Sequence, residues 1–175
     1  MQLYLIRHTK VTIEPGICYG QSDVALAETF RKETKIIQKQ ISGIKFDKIY
    51  SSPLSRCKKL SEHLFGSGIK YDDRLMELNF GDWELQKWNE LKNPTVDEWM
   101  NDFVNVACPN GESFNGMYQR IKSFLIEIKD QQSNNVAIIS HGGTMRCILA
   151  YINNEELKDA FKREIEFGSI IKVKL

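Results

Sequence analysis

Short runs of apolar and β-branched residues recur along the chain and predict β-strands. Four such runs are separated by longer segments with a different period, and they cover residues 2–6, 46–50, 136–140 and 170–174. In the last run, Ile171, Val173 and Leu175 alternate with lysines. This alternation is typical of a strand with one side facing solvent, so we expect the last strand to lie near an edge of the sheet.

Between these strands, apolar residues recur every three or four positions, as on the buried face of a helix. One helix is predicted to begin near Ser113, and another follows the sequence SHGGT. In residues 52–66, Ser52 is a suitable cap, Pro53 a suitable first helical residue and Gly66 a suitable end. The remaining predicted helices cover residues 26–41, 95–105 and 154–163.

The alternation of strands and helices indicates an α/β fold. Helices on both faces of a mostly parallel central sheet would form a three-layer sandwich. The 175 residues are enough for one hydrophobic core, and no linker or repeat interrupts them. We therefore predict one domain over residues 1–175.

The charge balance gives no reason to expect a nucleic-acid or membrane partner. The chain has 24 Lys and Arg against 23 Asp and Glu, a net charge of +1, and no segment approaches the roughly 18 apolar residues of a membrane span. The four cysteines form no CxxC pair, and the N-terminal apolar run is too short for a secretory signal. We expect reduced thiols, a cytoplasmic location and no zinc site, since the three histidines lack ligand spacing.

Three of the predicted strands lead into cationic or imidazole side chains. The first ends in Arg7 and His8, the second leads to Arg56, and the third ends in His141 followed by Gly142. The carboxyl ends of parallel strands meet at one edge of a sheet, so we expect these side chains to lie together. The N–H groups that begin the two following helices also favour an anion. A phosphate group matches this set in charge and in acceptor count.

The sequence HGGT, which begins at His141, also allows an esterase, because such a turn can form an oxyanion hole. That enzyme class needs a GxSxG nucleophile elbow, and the chain has none. The P-loop and GxGxxG fingerprints of nucleotide-binding proteins are missing too. A phosphate site of another type is therefore the preferred interpretation.

These motifs resemble those of the histidine phosphatase superfamily, also called the phosphoglycerate mutase-like family. RHT at residues 7–9 is similar to its RHG signature, SSPLSRC at 51–57 to its SSPLxRA segment, and SHGG at 140–143 to its SHGG segment. MELNFGDWEL at 76–85 is similar to its ELxFGxWEG stretch and gives Glu77 the role of its acidic residue. The resemblance spans nearly the whole chain and implies a phosphoglycerate mutase-like fold.

The resemblance implies a metal-independent phosphomonoesterase that works through a phosphohistidine and needs no cofactor. His8 is the implied nucleophile and Glu77 the implied proton donor and acceptor, while Arg7, Arg56 and His141 would hold the phosphoryl group. The implied partner is a small phosphorylated metabolite. The residues expected to help bind it are Gly20, Gln21 and Gly142.

Within the superfamily, the sequence is most similar to the α-ribazole-5′-phosphate phosphatase subfamily. The similarity lies in GICYGQSDVAL at 16–26, ELNFGDWE at 77–84 and PNGESF at 109–114. It implies a step in cobalamin nucleotide-loop assembly. A phosphoglycerate mutase and a broad-specificity sugar or nucleotide phosphatase remain alternatives. A non-catalytic phosphate-binding module is a more distant one, because it would be expected to lack His8 or Glu77.

The sequence leaves the oligomeric state and two features of the site open. Lys10 and Glu14 stand where many members carry Glu and Asn, and a carboxylate at position 14 would repel phosphate unless it faces away or pairs with Lys10. The aromatic residues of the middle segment either cap the pocket or fill the core. They are Trp83, Trp88, Trp99, Phe103 and Phe114.

Overall fold

Five β-strands form one sheet in the computed structural model, which describes residues 1–91 and 94–175. The strands are β1 (Gln2–Arg7), β2 (Lys48–Ser51), β3 (Ile69–Tyr71), β4 (Asn135–Ser140) and β5 (Ile170–Lys174). Their order is β3-β2-β4-β1-β5. All neighbouring pairs are parallel except β1 and β5. The predicted mostly parallel sheet, with the last strand at an edge, is confirmed.

Helices cover both faces of this sheet. Within the described residues they are α1 (Phe30–Gln40), α2 (Ser55–Phe65), α3 (Pro94–Asn101), α4 (Phe114–Lys129) and α5 (Gly142–Asn153). Four 3₁₀ helices accompany them, at Asp73–Leu75, Gly81–Trp83, Trp88–Glu90 and Leu157–Lys162. On β4, Val136 and Ile138 pack with α4 and α5, whereas Ala137 and Ile139 pack with α1 and α2. This alternation confirms the three-layer α/β sandwich.

The sequence signals at the start of α4 match the structure. Ser113 caps the helix, because its side-chain oxygen accepts a hydrogen bond from the backbone N–H of Gly116 at 3.1 Å. Six apolar side chains of the helix are buried, namely Phe114, Met117, Ile121, Phe124, Leu125 and Ile128. Full burial of each stabilises the fold by about 1.5–3 kcal/mol.

Two predicted helix starts are wrong by a few residues. Helix α2 begins at Ser55 rather than Pro53, because the Ser52 side chain accepts from the backbone N–H of Leu54 at 3.3 Å and holds a turn instead of capping a helix. Helix α1 begins at Phe30. Leu26, the first apolar residue assigned to it, forms an isolated β-bridge with Val11.

Other boundaries differ as well. The helix predicted at 95–105 is shorter in the structure, and the segment 154–163 holds only a 3₁₀ helix. The strand predicted at 46–50 begins at Lys48, because the carboxylate of Asp47 accepts from the backbone N–H groups of residues 134 and 135. Strand β3 was not predicted, since it has three residues and two of them are exposed.

All four cysteines are buried and free. Burial raises the pKa of Cys18 and Cys108 to about 12 and raises that of Cys57 and Cys147 as well. The thiols are therefore protonated at neutral pH, which makes them poor nucleophiles. Across residues 1–91 and 94–175, the structure contains no helix that is both long and apolar enough to span a bilayer.

Candidate active site

His8 follows the carboxyl end of β1 and is almost fully buried. Because β1 pairs in parallel with β4, the backbone N–H of His8 donates to the Ser140 carbonyl at 3.0 Å, which places His8 beside His141. The two imidazole centroids are 5.1 Å apart. His8 Nδ1 lies 2.8 Å from the carbonyl oxygen of Thr9. A carbonyl can only accept, so Nδ1 carries the proton and Nε2 keeps its lone pair.

His8 is neutral over the physiological pH range. Burial, reinforced by the positive charge of Arg56, lowers its pKa from the ordinary value of 6.5 to about 3. A protonated imidazole cannot act as a nucleophile. The environment therefore keeps His8 in the nucleophilic, neutral form at neutral pH.

Arg56 lies in the first turn of α2 and is fully buried. Its guanidinium donates to the carbonyl of Ser22 at 3.0 Å, to the carbonyl of Gly20, and from Nε to Nδ1 of His141 at 3.3 Å. These acceptors are neutral, so the buried positive charge has no carboxylate partner among them. A buried cation of this kind is stabilised when an anion binds beside it.

His141 caps α5 and is fully buried. Its Nδ1 accepts from Arg56, so the proton lies on Nε2, which faces the hydroxyl oxygen of Ser52 at 2.8 Å. Burial, with the charge of Arg56, lowers its pKa well below the ordinary value. The ring does not line the cavity that contains His8. Its predicted contact with phosphate stays a prediction, and the structure shows it supporting Arg56.

Arg7 is the last residue of β1 and lies at the same edge of the sheet as Arg56 and His141. Its guanidinium donates to the carbonyl of Ile165 and lies 3.8 Å from the centre of the Phe167 ring. Its Nε is buried and has no hydrogen-bond partner in the structure. Burial lowers the pKa of Arg7, and the negative charge of Glu77 opposes that shift. Arg7 thus combines a desolvated positive charge with an unused donor, as an anion site requires.

Glu77 lies in the irregular segment that follows a 3₁₀ turn. Its carboxylate accepts from the backbone N–H of Gly143 at 2.9 Å and from that of Leu78 at 3.0 Å. The first bond links it to the amino-terminal turn of α5, where negative charge is favoured. A Cβ at position 143 would lie 2.3 Å from Glu77 Oε1, so any other residue there would displace the Glu77 carboxylate.

A cavity of about 220 Å³ is lined by all of these side chains except that of His141. Its polar wall is formed by Arg7, His8, Tyr19, Arg56, Glu77 and Arg146, and its apolar wall by Leu78, Phe80, Phe114 and Phe161. Gly142 and Gly143 complete it. A Cβ at Gly142 would lie 3.3 Å from Cζ of Arg7, so this glycine allows the guanidinium to approach. Within residues 1–91 and 94–175, no group of three or more His, Cys, Asp or Glu could hold a metal ion.

Gly20 and Gln21 lie beside the cavity rather than in its wall. A Cβ at Gly20 would lie 1.8 Å from the carbonyl oxygen of Leu78. The Gly20 carbonyl accepts a hydrogen bond from Arg56, and the Gln21 side-chain amide donates to the Glu77 carbonyl at 3.0 Å. Both support cavity residues, and direct contact with a substrate stays a prediction.

Sequence reasoning missed two polar residues of the cavity wall. Arg146 lies in the second turn of α5, where its Nε donates to the carbonyl of Arg163 at 3.2 Å and its guanidinium lies 5.0 Å from the Phe161 ring centre. Tyr19 lies beneath Arg56, whose Cζ is 5.6 Å from its ring centre, and burial raises its pKa. The usable signal for Arg146 was a charged residue within an otherwise apolar helix.

The structure answers the question about the tryptophans and part of the question about Lys10 and Glu14. Trp83, Trp88 and Trp99 pack on one another and do not line the cavity, and the Trp88 and Trp99 rings are stacked with centroids 5.8 Å apart. They form a small core of their own, and Phe80 lies between them and the cavity. Glu14 lines neighbouring surface grooves instead of the His8 cavity.

Comparison with known proteins gives the family. The model of the histidine phosphatase superfamily (branch 1) matches residues 3–175. Phosphoserine phosphatase 1 of Hydrogenobacter thermophilus is 30% identical over 157 residues, which cover 85% of this chain and 74% of that protein. The adenosylcobalamin/alpha-ribazole phosphatase of Escherichia coli is 26% identical over 159 residues, which cover 86% and 78%.

A solved structure supports the fold. The crystal structure of the alpha-ribazole phosphatase from Shigella flexneri aligns with a TM-score of 0.93 at 22% identity, covering 100% of this chain and 91% of that one. This likeness confirms the phosphoglycerate mutase-like architecture, and the family predicted from the motifs is confirmed by the family model. The chain therefore belongs to the histidine phosphatase superfamily and is a phosphatase.

Proposed function

We propose that this protein is a metal-independent phosphomonoesterase that forms a phosphohistidine at His8. The observation that carries the proposal is the state of that imidazole. Nδ1 is engaged by the carbonyl of Thr9, burial keeps the ring neutral, and the side chain lines a cavity that also contains Arg7 and Arg56. Nε2 then attacks phosphorus while the bond to the leaving oxygen breaks, which divides one hard step into two easier ones.

The positive charge that this reaction needs comes from Arg7 and Arg56. Charge accumulates on the three equatorial oxygens during phosphoryl transfer. A bound phosphoryl group would use the unpartnered Nε of Arg7 and would neutralise the buried guanidinium of Arg56. Because both side chains are fixed by backbone carbonyls before substrate binds, little reorganisation is needed during the reaction.

Glu77 donates the proton needed in the first step and accepts the proton released in the second. In its protonated form it donates a proton to the leaving oxygen as the ester bond breaks. The resulting carboxylate then accepts a proton from the water that attacks the phosphohistidine, which releases inorganic phosphate and regenerates His8. The position of Glu77 in the same cavity wall as His8 supports this role.

The first candidate substrate is α-ribazole 5′-phosphate, which would place the protein in cobalamin nucleotide-loop assembly. Its support is the similarity of the sequence around Gly20, Glu77 and Glu112 to that subfamily, together with the named relative from Escherichia coli. The apolar wall of Phe80 and Phe161 offers surfaces against which a flat base could pack.

A second candidate is a small phosphomonoester that carries a carboxylate, such as phosphoserine. Arg146 favours it, because this guanidinium lines the cavity and has no carboxylate within ion-pair distance in the described part of the chain. Arg146 lines the same cavity as Glu77, the residue proposed to face the leaving oxygen, and we place the leaving group between them. A cavity of about 220 Å³ suits a small substrate, and one relative is named a phosphoserine phosphatase.

Phosphate release from a substrate panel tests the proposal. The panel contains α-ribazole 5′-phosphate, phosphoserine, 3-phosphoglycerate and p-nitrophenyl phosphate, with EDTA present throughout. We expect hydrolysis by the wild type and by a His63→Ala control, which alters an exposed histidine, and none by His8→Ala. The highest kcat/KM identifies the substrate. Activity that survives in His8→Ala, or that EDTA abolishes, would overturn the mechanism.

A further inference from the structure

The backbone around Glu77 is held by side chains rather than by a strand or helix. Four consecutive carbonyl groups, those of residues 74 to 77, each accept hydrogen bonds from side chains. The donors come from β4, α4, α5 and the loop after β1, and they are Ser140, Arg120, Thr144 and Gln21. Buried carbonyls outside regular structure need such partners. The location of Glu77 is therefore set by these donors.

Arg120 of α4 supplies three of these hydrogen bonds. Its Nη1 donates to the carbonyls of Arg74 at 2.6 Å and Met76 at 2.8 Å, and its Nη2 donates to the carbonyl of Glu77 at 3.0 Å. One guanidinium thus bonds to three of the four carbonyls. It does not line the cavity that contains His8.

Glu112 holds the guanidinium in this orientation. Its two carboxylate oxygens accept from Arg120 Nη2 at 2.7 Å and from Nε at 3.1 Å, and both side chains are about one-fifth exposed. Oε1 of Glu112 also accepts from the backbone N–H of Asn79 at 3.0 Å. The pair therefore binds the chain on both sides of Glu77. A two-bond pairing of this kind needs the planar fork of an arginine.

We propose that Arg120 and Glu112 form a positioning pair that fixes the Glu77 carboxylate relative to the leaving oxygen. The inference rests on the proton-transfer role proposed for Glu77. A general acid must lie within hydrogen-bond reach of its target, and a displacement of about 1 Å can lower a rate about 100-fold. The pair acts through Glu77 and contacts neither the substrate nor His8.

The test compares leaving groups through kcat/KM, which reports the step that forms the phosphohistidine. In that step, a misplaced acid matters only when the leaving oxygen needs a proton. Arg120→Met is assayed on p-nitrophenyl phosphate, whose phenolate leaves readily, and on an alkyl phosphate, whose alkoxide does not. We expect kcat/KM on the alkyl phosphate to fall about 100-fold and kcat/KM on p-nitrophenyl phosphate to fall much less. Arg120→Lys and Glu112→Gln, which alter the side chains less, should show the same selective loss to a smaller extent.

Two controls separate positioning from general destabilisation. Ile121→Val removes a buried methyl group from the same helix without touching the segment around Glu77, so it should lower kcat/KM equally for both substrates or not at all. Glu77→Gln should show the selective loss in full, and adding Arg120→Met to it should cost little more. Equal losses on both substrates in all Arg120 and Glu112 variants would overturn the positioning role. A Glu77→Gln variant without selective loss would instead overturn the proton-transfer role and this inference with it.

Discussion

The backbone N–H of Gly143 donates to Oε2 of Glu77 at 2.9 Å, and a Cβ at position 143 would lie 2.3 Å from Oε1 of the same carboxylate. A side chain at residue 143 would therefore displace the carboxylate of the proposed acid from this position. The SHGG sequence thus joins two parts of the site, since Gly142 allows Arg7 to approach and Gly143 allows Glu77 to approach.

Replacing Gly143 with Ala should move the Glu77 carboxylate. We expect kcat to fall about 100-fold on an alkyl phosphate, because a displacement of about 1 Å disrupts proton transfer. Gly116→Ala is the matched control. Its added Cβ would meet only the Ser113 side chain at 3.5 Å and the Glu112 Cβ at 3.9 Å, so kcat should stay near the wild-type value. A Gly143→Ala enzyme with wild-type kcat would show that this contact does not position the acid.

The buried state of His8 predicts how stability depends on pH. Its folded pKa is about 3 and its ordinary value is 6.5. Between these values the unfolded chain binds a proton that the folded protein does not. The free energy of unfolding should therefore be highest above pH 6.5 and should fall towards pH 3, with His8 contributing a slope that approaches about 1.4 kcal/mol per pH unit.

Urea denaturation at pH 7, 6 and 5 measures that slope. In a His8→Asn variant the contribution of the imidazole is removed, so its free energy of unfolding should fall less steeply than that of the wild type. Identical slopes for the two proteins would mean that the folded protein protonates His8 as readily as the unfolded chain does.

Arg146 should act on substrate choice rather than on the chemical step. If a leaving-group carboxylate binds this guanidinium, Arg146→Met should lower kcat/KM for phosphoserine about 10- to 100-fold, which corresponds to the loss of one hydrogen bond to a charged group. The effect on p-nitrophenyl phosphate, which carries no carboxylate, should be small. Parallel losses on both substrates would place Arg146 on the phosphoryl group instead.

The tryptophan cluster should contribute to stability and not to turnover. Trp88 stacks on Trp99 and neither lines the cavity. We expect Trp88→Leu to lower the free energy of unfolding by about 1–3 kcal/mol, since the smaller side chain leaves part of the space unfilled. The kcat/KM on α-ribazole 5′-phosphate should stay within about threefold of wild type. A much larger loss would show that the ring contacts the substrate.

Those elements and site residues whose sequence signal lies within one short segment can be predicted from the sequence. The strands that end in His8 and His141 were identified because apolar runs give way abruptly to charged or imidazole residues. Parallel pairing then determines which ends meet, so the convergence of Arg7, Arg56 and the two histidines followed from topology alone. The capped start of α4 at Ser113 was equally local.

The remaining parts of the site depend on tertiary contacts that no local pattern encodes. Arg120 is one of many charged residues on a long helix, and its bonds to the segment around Glu77 form only when α4 packs beside it. Tertiary packing also forms the hydrogen bond from Gln21 to the Glu77 carbonyl. It likewise brings Ser52 into contact with His141. Strand β3 is too short to produce a periodic signal.

Trapping the covalent intermediate tests the central role of His8 most directly. The enzyme is mixed with ³²P-labelled substrate in the presence of EDTA, quenched in alkali within milliseconds and digested, and the labelled peptide is identified by mass spectrometry. The mechanism predicts an acid-labile, alkali-stable label on the peptide that contains His8, present in Glu77→Gln and absent in His8→Ala. Label on any other residue, or turnover with no label at times shorter than one catalytic cycle, would contradict it.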